Sequence, residues 1–181
     1  MLNDIARVLY TEEELAEIVT NLGKRISEDY KDKNLLLVSV LKGSVVFMAD
    51  LMRSITVPCR IDFMSVSAYG GKNTTARSNV QIKKDLDINL EGYDVLIVED
   101  IFDSGRTLQH LSEILLLRNP KSLRLCTLLD KPERRDPNCT IKADYIGINV
   151  PDEFVVGYGL DYDEKYRNLS FIGVLKPHVY E

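Results

Sequence analysis

Histidine and cysteine are scarce in this chain of 181 residues, which has two of the first and three of the second. His110 is expected in the middle of a helix and His178 near the C-terminus, so catalysis by histidine is disfavoured. Cys59, Cys126 and Cys139 are odd in number and widely spaced, with no C-x-x-C pair. This pattern argues against a disulfide framework or a zinc site and is typical of reduced thiols in a cytoplasmic protein.

The chain also lacks long apolar runs and an excess of basic residues. No run approaches the ~20 apolar residues of a membrane span, and the first four residues do not have the basic and then apolar pattern of a signal peptide. The net charge of −5 disfavours a dedicated nucleic-acid binder, which presents a basic stripe. Neither G-x-G-x-x-G nor G-x-x-x-x-G-K-[ST] occurs, which disfavours dinucleotide enzymes and P-loop NTPases. We therefore expect a cytoplasmic protein without membrane or nucleic-acid partners.

Apolar runs alternate with segments of helical spacing, and this alternation predicts one α/β domain over residues 1–181 with a parallel sheet. Strands are predicted over residues 35–41, 60–68, 95–98, 123–129, 145–150, 154–157 and 171–175, and helices over about 11–30, 45–52 and 107–118. The N-terminal helix and the C-terminal strands are expected to form a small subdomain that faces the main sheet. The polar residues from about 69 to 84 are expected to form an exposed loop or β-ribbon, and long polar loops of this kind are commonly lids.

The most informative stretch is V-L-I-V-E-D-I-F-D-S-G-R-T at residues 95–107. A buried strand, an acidic end, a turn of small residues and a helix follow one another, which builds a ligand site at the carboxyl edge of a parallel sheet. Backbone N–H groups from Ser104 to Thr107 would open the helix and point at an anion, for which phosphate is the best candidate. Glu99 and Asp100 would repel that anion, so they suit hydroxyl donors or a divalent cation.

This stretch resembles the phosphoribosyl pyrophosphate (PRPP) signature of type I phosphoribosyltransferases. Further segments resemble the hypoxanthine-guanine branch of that family: Leu41-Lys42-Gly43 its pyrophosphate loop, Ala68-Tyr69-Gly70 the start of its lid, and residues 129–132 and 151–162 its purine segments. The resemblance covers nearly the whole chain. It implies the type I phosphoribosyltransferase fold, a parallel-sheet core with flanking helices, a lid at about 69–84, and a hood from the N-terminal segment and about 151–181.

The resemblance also implies roles for individual residues. PRPP and its phosphate would be bound by Glu99, Asp100, Asp103, Ser104, Gly105, Arg106 and Thr107. Pyrophosphate would be bound by Lys42, Gly43 and Arg167, with Ala68 and Tyr69 in the lid. The purine site would consist of Lys131 donating to the 6-oxo group, Phe154 stacking on the base, the backbone of Val155, and Asp161. Magnesium would be held by Glu99, Asp100 and Asp161. Asp103 is in place to accept the N7 proton as a general base. Ala68 replaces the serine that is usual in this family.

The activity implied by the resemblance is transfer of 5-phosphoribosyl from PRPP to N9 of hypoxanthine or guanine. The products would be IMP or GMP and pyrophosphate, and the reaction would use Mg²⁺ as cofactor. The resemblance further implies a role in purine salvage and assembly as a homodimer or homotetramer. A regulator of the same fold that binds nucleotides and nucleic acid is an alternative, disfavoured by the acidity, the purine segment and Asp103. A transferase for adenine or a pyrimidine is another. Lys131 disfavours adenine, since an amino group and an ammonium are both donors, and Phe154-Val155 disfavours pyrimidines. Arg134-Arg135 is expected in a solvated turn, with one arginine available to brace the active-site loops.

Overall fold

The computed structural model describes residues 1–69 and 79–180, and this part of the chain folds as a mixed α/β structure with a parallel-dominated sheet. Its strands are β1 (Ile5–Tyr10), β2 (Leu35–Leu41), β3 (Cys59–Tyr69), β4 (Asn79–Lys84), β5 (Asp94–Phe102), β6 (Ser122–Asp130), β7 (Tyr145–Asn149), β8 (Val155–Val156) and β9 (Ile172–Leu175). Its α-helices are α1 (Glu12–Asp29), α2 (Val45–Ser54), α3 (Arg106–Leu116) and the short α4 (Pro177–Tyr180). Single 3₁₀ turns occupy Leu2–Asp4 and Pro132–Arg134.

The main sheet has six strands in the order β4-β3-β2-β5-β6-β7. Every neighbouring pair is parallel except β3 and β4, which form an antiparallel ribbon. The chain moves from β2 to β3 on one side and from β5 to β6 on the other. The order of strands therefore reverses between β2 and β5, and such a reversal leaves a crevice beyond the carboxyl ends of the two strands, where open α/β sheets bind ligands.

The central strands are buried on both faces, which explains their continuous apolar sequence. Leu35 and Leu37 of β2 pack into a cluster with α1 and α2, whereas Leu36 and Val38 pack into a second cluster with α3. Helix α1 begins at a capping box in which Thr11 accepts from the Glu14 N–H and Glu14 accepts from the Thr11 N–H. The predicted helix start is therefore confirmed. In the described ranges, no helix has the length and apolarity needed to cross a membrane.

A smaller antiparallel sheet has the order β1-β9-β8. Its first strand was not predicted, because β1 is an exposed edge strand and its alternation is weak. The predicted place of the N-terminal helix in this smaller layer is wrong, since α1 packs against α2 and β7 of the main sheet. The N-terminal element of the smaller sheet is instead the strand β1. The hood and the single-domain boundaries stay predictions, and the segment from 70 to 78, which contains most of the predicted lid, lies outside the described residues.

Candidate functional site

A cavity of about 310 Å³ lies beyond the carboxyl ends of β2 and β5, where the strand order reverses. Both the loop after β2 and the turn after β5 contribute to its wall. It is lined by Val40, Leu41, Gly43, Val66, Glu99, Asp100, Ile101, Asp103, Ser104, Gly105, Thr107 and Leu108. Six of the predicted PRPP-binding residues are in this lining. The local reading of the signature therefore predicted the position of the cavity correctly.

The turn after β5 depends on Gly105, which has φ of +79° and precedes the first residue of α3. A side chain there would collide with Cys139 and with the Phe102 ring, so glycine is needed both for the backbone angle and for the space. The N-terminus of α3 opens into the cavity with its backbone donors unpaired by the helix, which suits an anion. The Arg106 side chain pairs with Asp136 outside the cavity, so only the main chain of Arg106 is available to this anion.

Two adjacent carboxylates lie near the carboxyl end of β5, at the cavity wall. Burial and the neighbouring Asp100 raise the pKa of Glu99, and Glu99 Oε2 is buried without a hydrogen-bond partner. Burial raises the pKa of Asp100 to about 6, against the opposing effect of the Ile101 N–H, which donates to Oδ1 at 2.7 Å. Arg167 lowers and Asp161 raises the pKa of Asp100, so all these charges act on one point. The arrangement favours a cation or hydroxyl donors at this wall.

We expect Asp100→Asn to raise the free energy of unfolding of the ligand-free protein at about pH 7.5. The native pKa of about 6 lies above the ordinary 3.8, so the folded state holds the proton more tightly than the unfolded chain. Stability is therefore lost as the pH rises from about 4 to about 6, and ionisation costs the fold about 2–3 kcal/mol above that range. Asparagine keeps the acceptor for Ile101 and carries no charge.

Urea unfolding at about pH 4 and about pH 7.5 measures this effect, because the gain should be small at the lower pH and full at the higher. Asp163→Asn is the matched control, since the Asp163 side chain is 73% exposed. A lower stability of Asp100→Asn at the higher pH would contradict the prediction.

The backbone of the loop after β2 lies directly against the Asp100 carboxylate. The Leu41–Lys42 peptide is cis, and the buried Ser44 hydroxyl at the start of α2 bonds Ser39 at 2.7 Å. A side chain at Gly43 would overlap the Asp100 carboxylate.

A second glycine, in the segment that follows β8, lies against the same loop. Gly159 has φ of +99°, and a side chain there would overlap the Gly43 carbonyl oxygen. The two glycines therefore let three segments that are distant in sequence meet at one point.

Two cations share one carboxylate beside this point. Lys42 Nζ lies 2.9 Å from Glu164 Oε2, and an Arg167 terminal nitrogen lies 3.3 Å from Glu164 Oε1. Arg167 also lies 3.0 Å from Asp161 Oδ1 and donates to the Gly159 carbonyl at 2.8 Å. Sequence reasoning paired Lys42 with Arg167 through the family resemblance but missed Glu164, which no local pattern distinguishes from a surface acid. The site thus holds two positive groups that share one negatively charged partner.

An amine and an aromatic ring lie together at the end of β6 and the start of β8. Lys131 is only 7% exposed, its Nζ donates to the Glu153 carbonyl at 2.6 Å, and burial lowers its pKa. Phe154 is 37% exposed, although its neighbours Val155 and Val156 are buried. The structure therefore places a desolvated donor beside an open aromatic surface, as a planar ligand with a hydrogen-bond acceptor requires.

Asp103 faces the cavity next to two arginines of the Pro132–Arg134 turn and its end. Arg134 Nε lies 3.0 Å from Asp103 Oδ1. Arg135 donates to the Asp103 carbonyl at 2.7 Å, pairs with Asp130, and places its guanidinium carbon 3.2 Å from the centre of the Phe102 ring. Arg135 is therefore the arginine that braces this turn, as predicted for one of the two arginines. The expectation that Arg134-Arg135 lies in a solvated turn is wrong for Arg135. Its side chain is only 20% exposed.

Of the predicted metal ligands, Glu99 and Asp100 line the cavity, whereas Asp161 lies outside its lining, paired with Arg167. Across residues 1–69 and 79–180, no three His, Cys, Asp or Glu side chains are grouped so that they could hold a metal ion. Side chains at Ala68 and Tyr69 lie outside the described residues, so their predicted lid role stays a prediction.

Comparison with known proteins agrees with this geometry. The sequence model of the phosphoribosyl transferase domain matches residues 7–163. The hypoxanthine-guanine phosphoribosyltransferase of Bacillus subtilis is 52% identical over 181 residues, which cover 100% of this chain and 99% of the relative. A crystal structure of a hypoxanthine phosphoribosyltransferase from Staphylococcus aureus superposes with a TM-score of 0.95 at 50% identity, covering 100% of this chain and 97% of the other.

A longer relative contains the same region. The bifunctional protein TilS/HprT of Listeria innocua is 52% identical over 99% of this chain, but the chain spans only 27% of that relative's length. The match to the domain model and the full-length similarity to the Bacillus subtilis enzyme together cover both layers of the fold. The chain therefore belongs to the phosphoribosyltransferase family, in its hypoxanthine-guanine group.

Proposed function

We propose that this chain transfers the 5-phosphoribosyl group of PRPP to N9 of hypoxanthine or guanine, with Mg²⁺, and releases IMP or GMP and pyrophosphate. One observation carries the proposal: beside the cavity, the loop after β2 packs against the carboxylates of β5, and the Gly159 turn packs against that loop. These three segments are the ones whose sequences resemble the PRPP, pyrophosphate and purine segments of the family. Because the three segments meet, the ribose 5-phosphate, the pyrophosphate and the base would all be bound around one reaction centre.

The 5′-phosphate fits the turn from Ser104 to Thr107, where main-chain donors at the start of α3 face the cavity. Pyrophosphate fits the other side, at Lys42 and Arg167. It would displace Glu164, whose carboxylate now accepts from both cations, and would take over those bonds with more charge. The ribose then lies between the two anion sites, against Glu99 and Asp100.

The acidic wall fits both the ribose and a magnesium ion. The orphaned Glu99 Oε2 needs a donor or a cation, and burial raises the pKa of Asp100, so a bound cation would stabilise both carboxylates in their charged form. Mg²⁺ takes oxygen ligands and keeps several waters, so one or two carboxylates of the predicted set Glu99, Asp100 and Asp161 would suffice to hold it together with substrate oxygens. When bound, Mg²⁺ would neutralise part of the charge on the leaving pyrophosphate. Glu99 and Asp100 would also accept from the ribose hydroxyls and favour the positive charge that develops at C1.

The base fits the amine and the open ring. The ammonium of Lys131 has three donors, one of which bonds Glu153, so it can also donate to the 6-oxo oxygen. Phe154 offers its exposed surface for stacking, and the backbone of Val155 lies next to it for the edge of the base. Asp103 would accept the N7 proton as N9 attacks C1, after its carboxylate exchanges Arg134 for the substrate.

The test is a panel of bases with PRPP and Mg²⁺, read as nucleotide formation. We expect turnover of hypoxanthine and guanine, little with adenine or pyrimidines, and loss on chelation of Mg²⁺ that added Mg²⁺ restores. Turnover of adenine or uracil alone would contradict the proposed base. Absence of turnover together with retention of RNA at physiological salt would favour the regulator. Sedimentation of the same sample would show whether the expected homodimer or homotetramer forms.

A further inference from the structure

The C-terminal helix places an aromatic ring against Phe154. The rings of Tyr180 and Phe154 are stacked, with centroids 4.9 Å apart and an interplanar angle of 21°. Tyr162 lies at a right angle to Phe154 with centroids 5.4 Å apart. Phe154 nevertheless keeps 37% of its surface exposed. Tyr180 therefore covers one face of the ring and Tyr162 contacts it at a right angle, while 37% of Phe154 stays exposed.

We propose that Tyr180 is a positioning residue that holds the Phe154 ring in the orientation in which a purine stacks on it. The inference rests on the proposed function, because it needs Phe154 to be the surface that receives the base. A phenylalanine side chain has two rotatable bonds, and Phe154 lies just before the two-residue strand β8. A ring supported by a stacked neighbour is already ordered when the base arrives on its exposed surface, so binding the base costs less side-chain entropy.

The start of the helix α4, which carries Tyr180, is hydrogen-bonded to the N-terminal segment of the chain. The Lys176 N–H donates to the Asp4 carbonyl at 2.9 Å, and Lys176 Nζ donates to the Asn3 carbonyl at 2.7 Å. These bonds tie the start of α4 to the N-terminal 3₁₀ turn. The Leu175 N–H donates to the carbonyl of Phe154 itself at 2.8 Å. Backbone and ring contacts therefore both connect α4 to the aromatic ring.

The packing below Tyr180 is apolar and continuous with the smaller sheet. Val179 and Tyr180 pack against a buried cluster that includes Val156 and Leu175. The members of this cluster include neither the phosphate turn nor the carboxylates of β5. A change at Tyr180 should therefore affect the base and leave PRPP unaffected, which separates positioning from a general loss of structure.

The experiment compares Tyr180→Leu with Tyr180→Phe in the intact chain. An aromatic pair of this geometry contributes enough to change affinity about 2- to 12-fold. We expect Tyr180→Leu to raise the KM for hypoxanthine by about that factor, with kcat and the KM for PRPP nearly unchanged. Tyr180→Phe keeps the ring and should restore the base KM. His178→Ala, an exposed change on the same helix, is the matched control.

A second measurement does not depend on activity. The chain has five phenylalanines, so fluorine-labelled phenylalanine gives a countable spectrum in which Phe154→Leu identifies the Phe154 signal. Loss of the stacked ring in Tyr180→Leu should shift and broaden that signal, whereas Tyr180→Phe should keep it.

The outcomes separate the two proposals. A lower base KM in Tyr180→Leu would mean that Tyr180 occupies the face needed by the base, and an unchanged base KM in an active enzyme would mean that the stacking is incidental. Either result overturns the inference alone. A wild-type chain without turnover of hypoxanthine overturns the proposed function and this inference with it.

Discussion

Asp103→Asn is expected to lower turnover of hypoxanthine about 10²–10⁴-fold while the fold and the binding of PRPP persist. The change removes a proton acceptor and keeps the size and polarity of the side chain. The carbonyl of residue 103 still accepts from Arg135, so the turn after β5 keeps its brace. The phosphate site, which consists of main-chain donors and Gly105, is also unaffected.

Asp152→Asn is the matched control for this change. Asp152 is the other carboxylate bound by Arg134, whose Nη1 donates to it at 3.1 Å, and it does not line the cavity. Both variants release the same arginine by the same chemical change, but only Asp103→Asn should lose turnover. The measurements are kcat for hypoxanthine and the affinity for PRPP by titration. Turnover of Asp103→Asn near the wild-type value would exclude Asp103 as the base.

The signature after β5 could be predicted from sequence because its elements are local. A strand buried on both faces reads as a continuous apolar run, and the turn after it needs Gly105 at a left-handed φ. The structure extends the strand through Glu99 and Asp100 to Phe102, with Glu99 paired to Thr127 of β6 and Asp100 between two paired residues. The predicted strand ended at residue 98, before the two carboxylates, whereas the observed strand includes them. The predicted ligand edge therefore has an acidic wall that belongs to the strand.

The rest of the site depends on contacts between distant parts of the chain, which periodicity does not reveal. Glu164 and Tyr180 have no local pattern that separates them from surface residues, and their partners Lys42 and Phe154 are far from them in sequence. The edge strand β1 was missed for a related reason, since an exposed strand shows little alternation. Residues that position others are thus the least visible in sequence, because their chemistry is ordinary and only their contacts are special.

Lys131→Ala is expected to reduce kcat/KM for hypoxanthine about 10- to 150-fold, the loss that follows from removing a hydrogen bond from a charged donor. Lys131 is only 7% exposed and its Nζ is held 2.6 Å from the Glu153 carbonyl, so the donor is fixed and desolvated. Such a donor discriminates strongly on the group that it binds. The KM for PRPP should change little, because Lys131 is not among the residues that line the cavity with the phosphate turn and the carboxylates of β5.

The sharpest readout of Lys131 is the comparison of hypoxanthine with unsubstituted purine, which lacks the 6-oxo group. Lys131→Ala should remove most of the preference for hypoxanthine, and Lys142→Ala, a change at an exposed lysine, should leave that preference intact. Burial lowers the pKa of Lys131, so in the wild-type chain kcat/KM for hypoxanthine should fall at a lower alkaline pH than an ordinary lysine would allow. That alkaline limb should disappear in Lys131→Ala. A preference for hypoxanthine that survives in Lys131→Ala would show that the 6-oxo group is bound elsewhere, and would restrict Lys131 to holding the carbonyl of Glu153 beside Phe154.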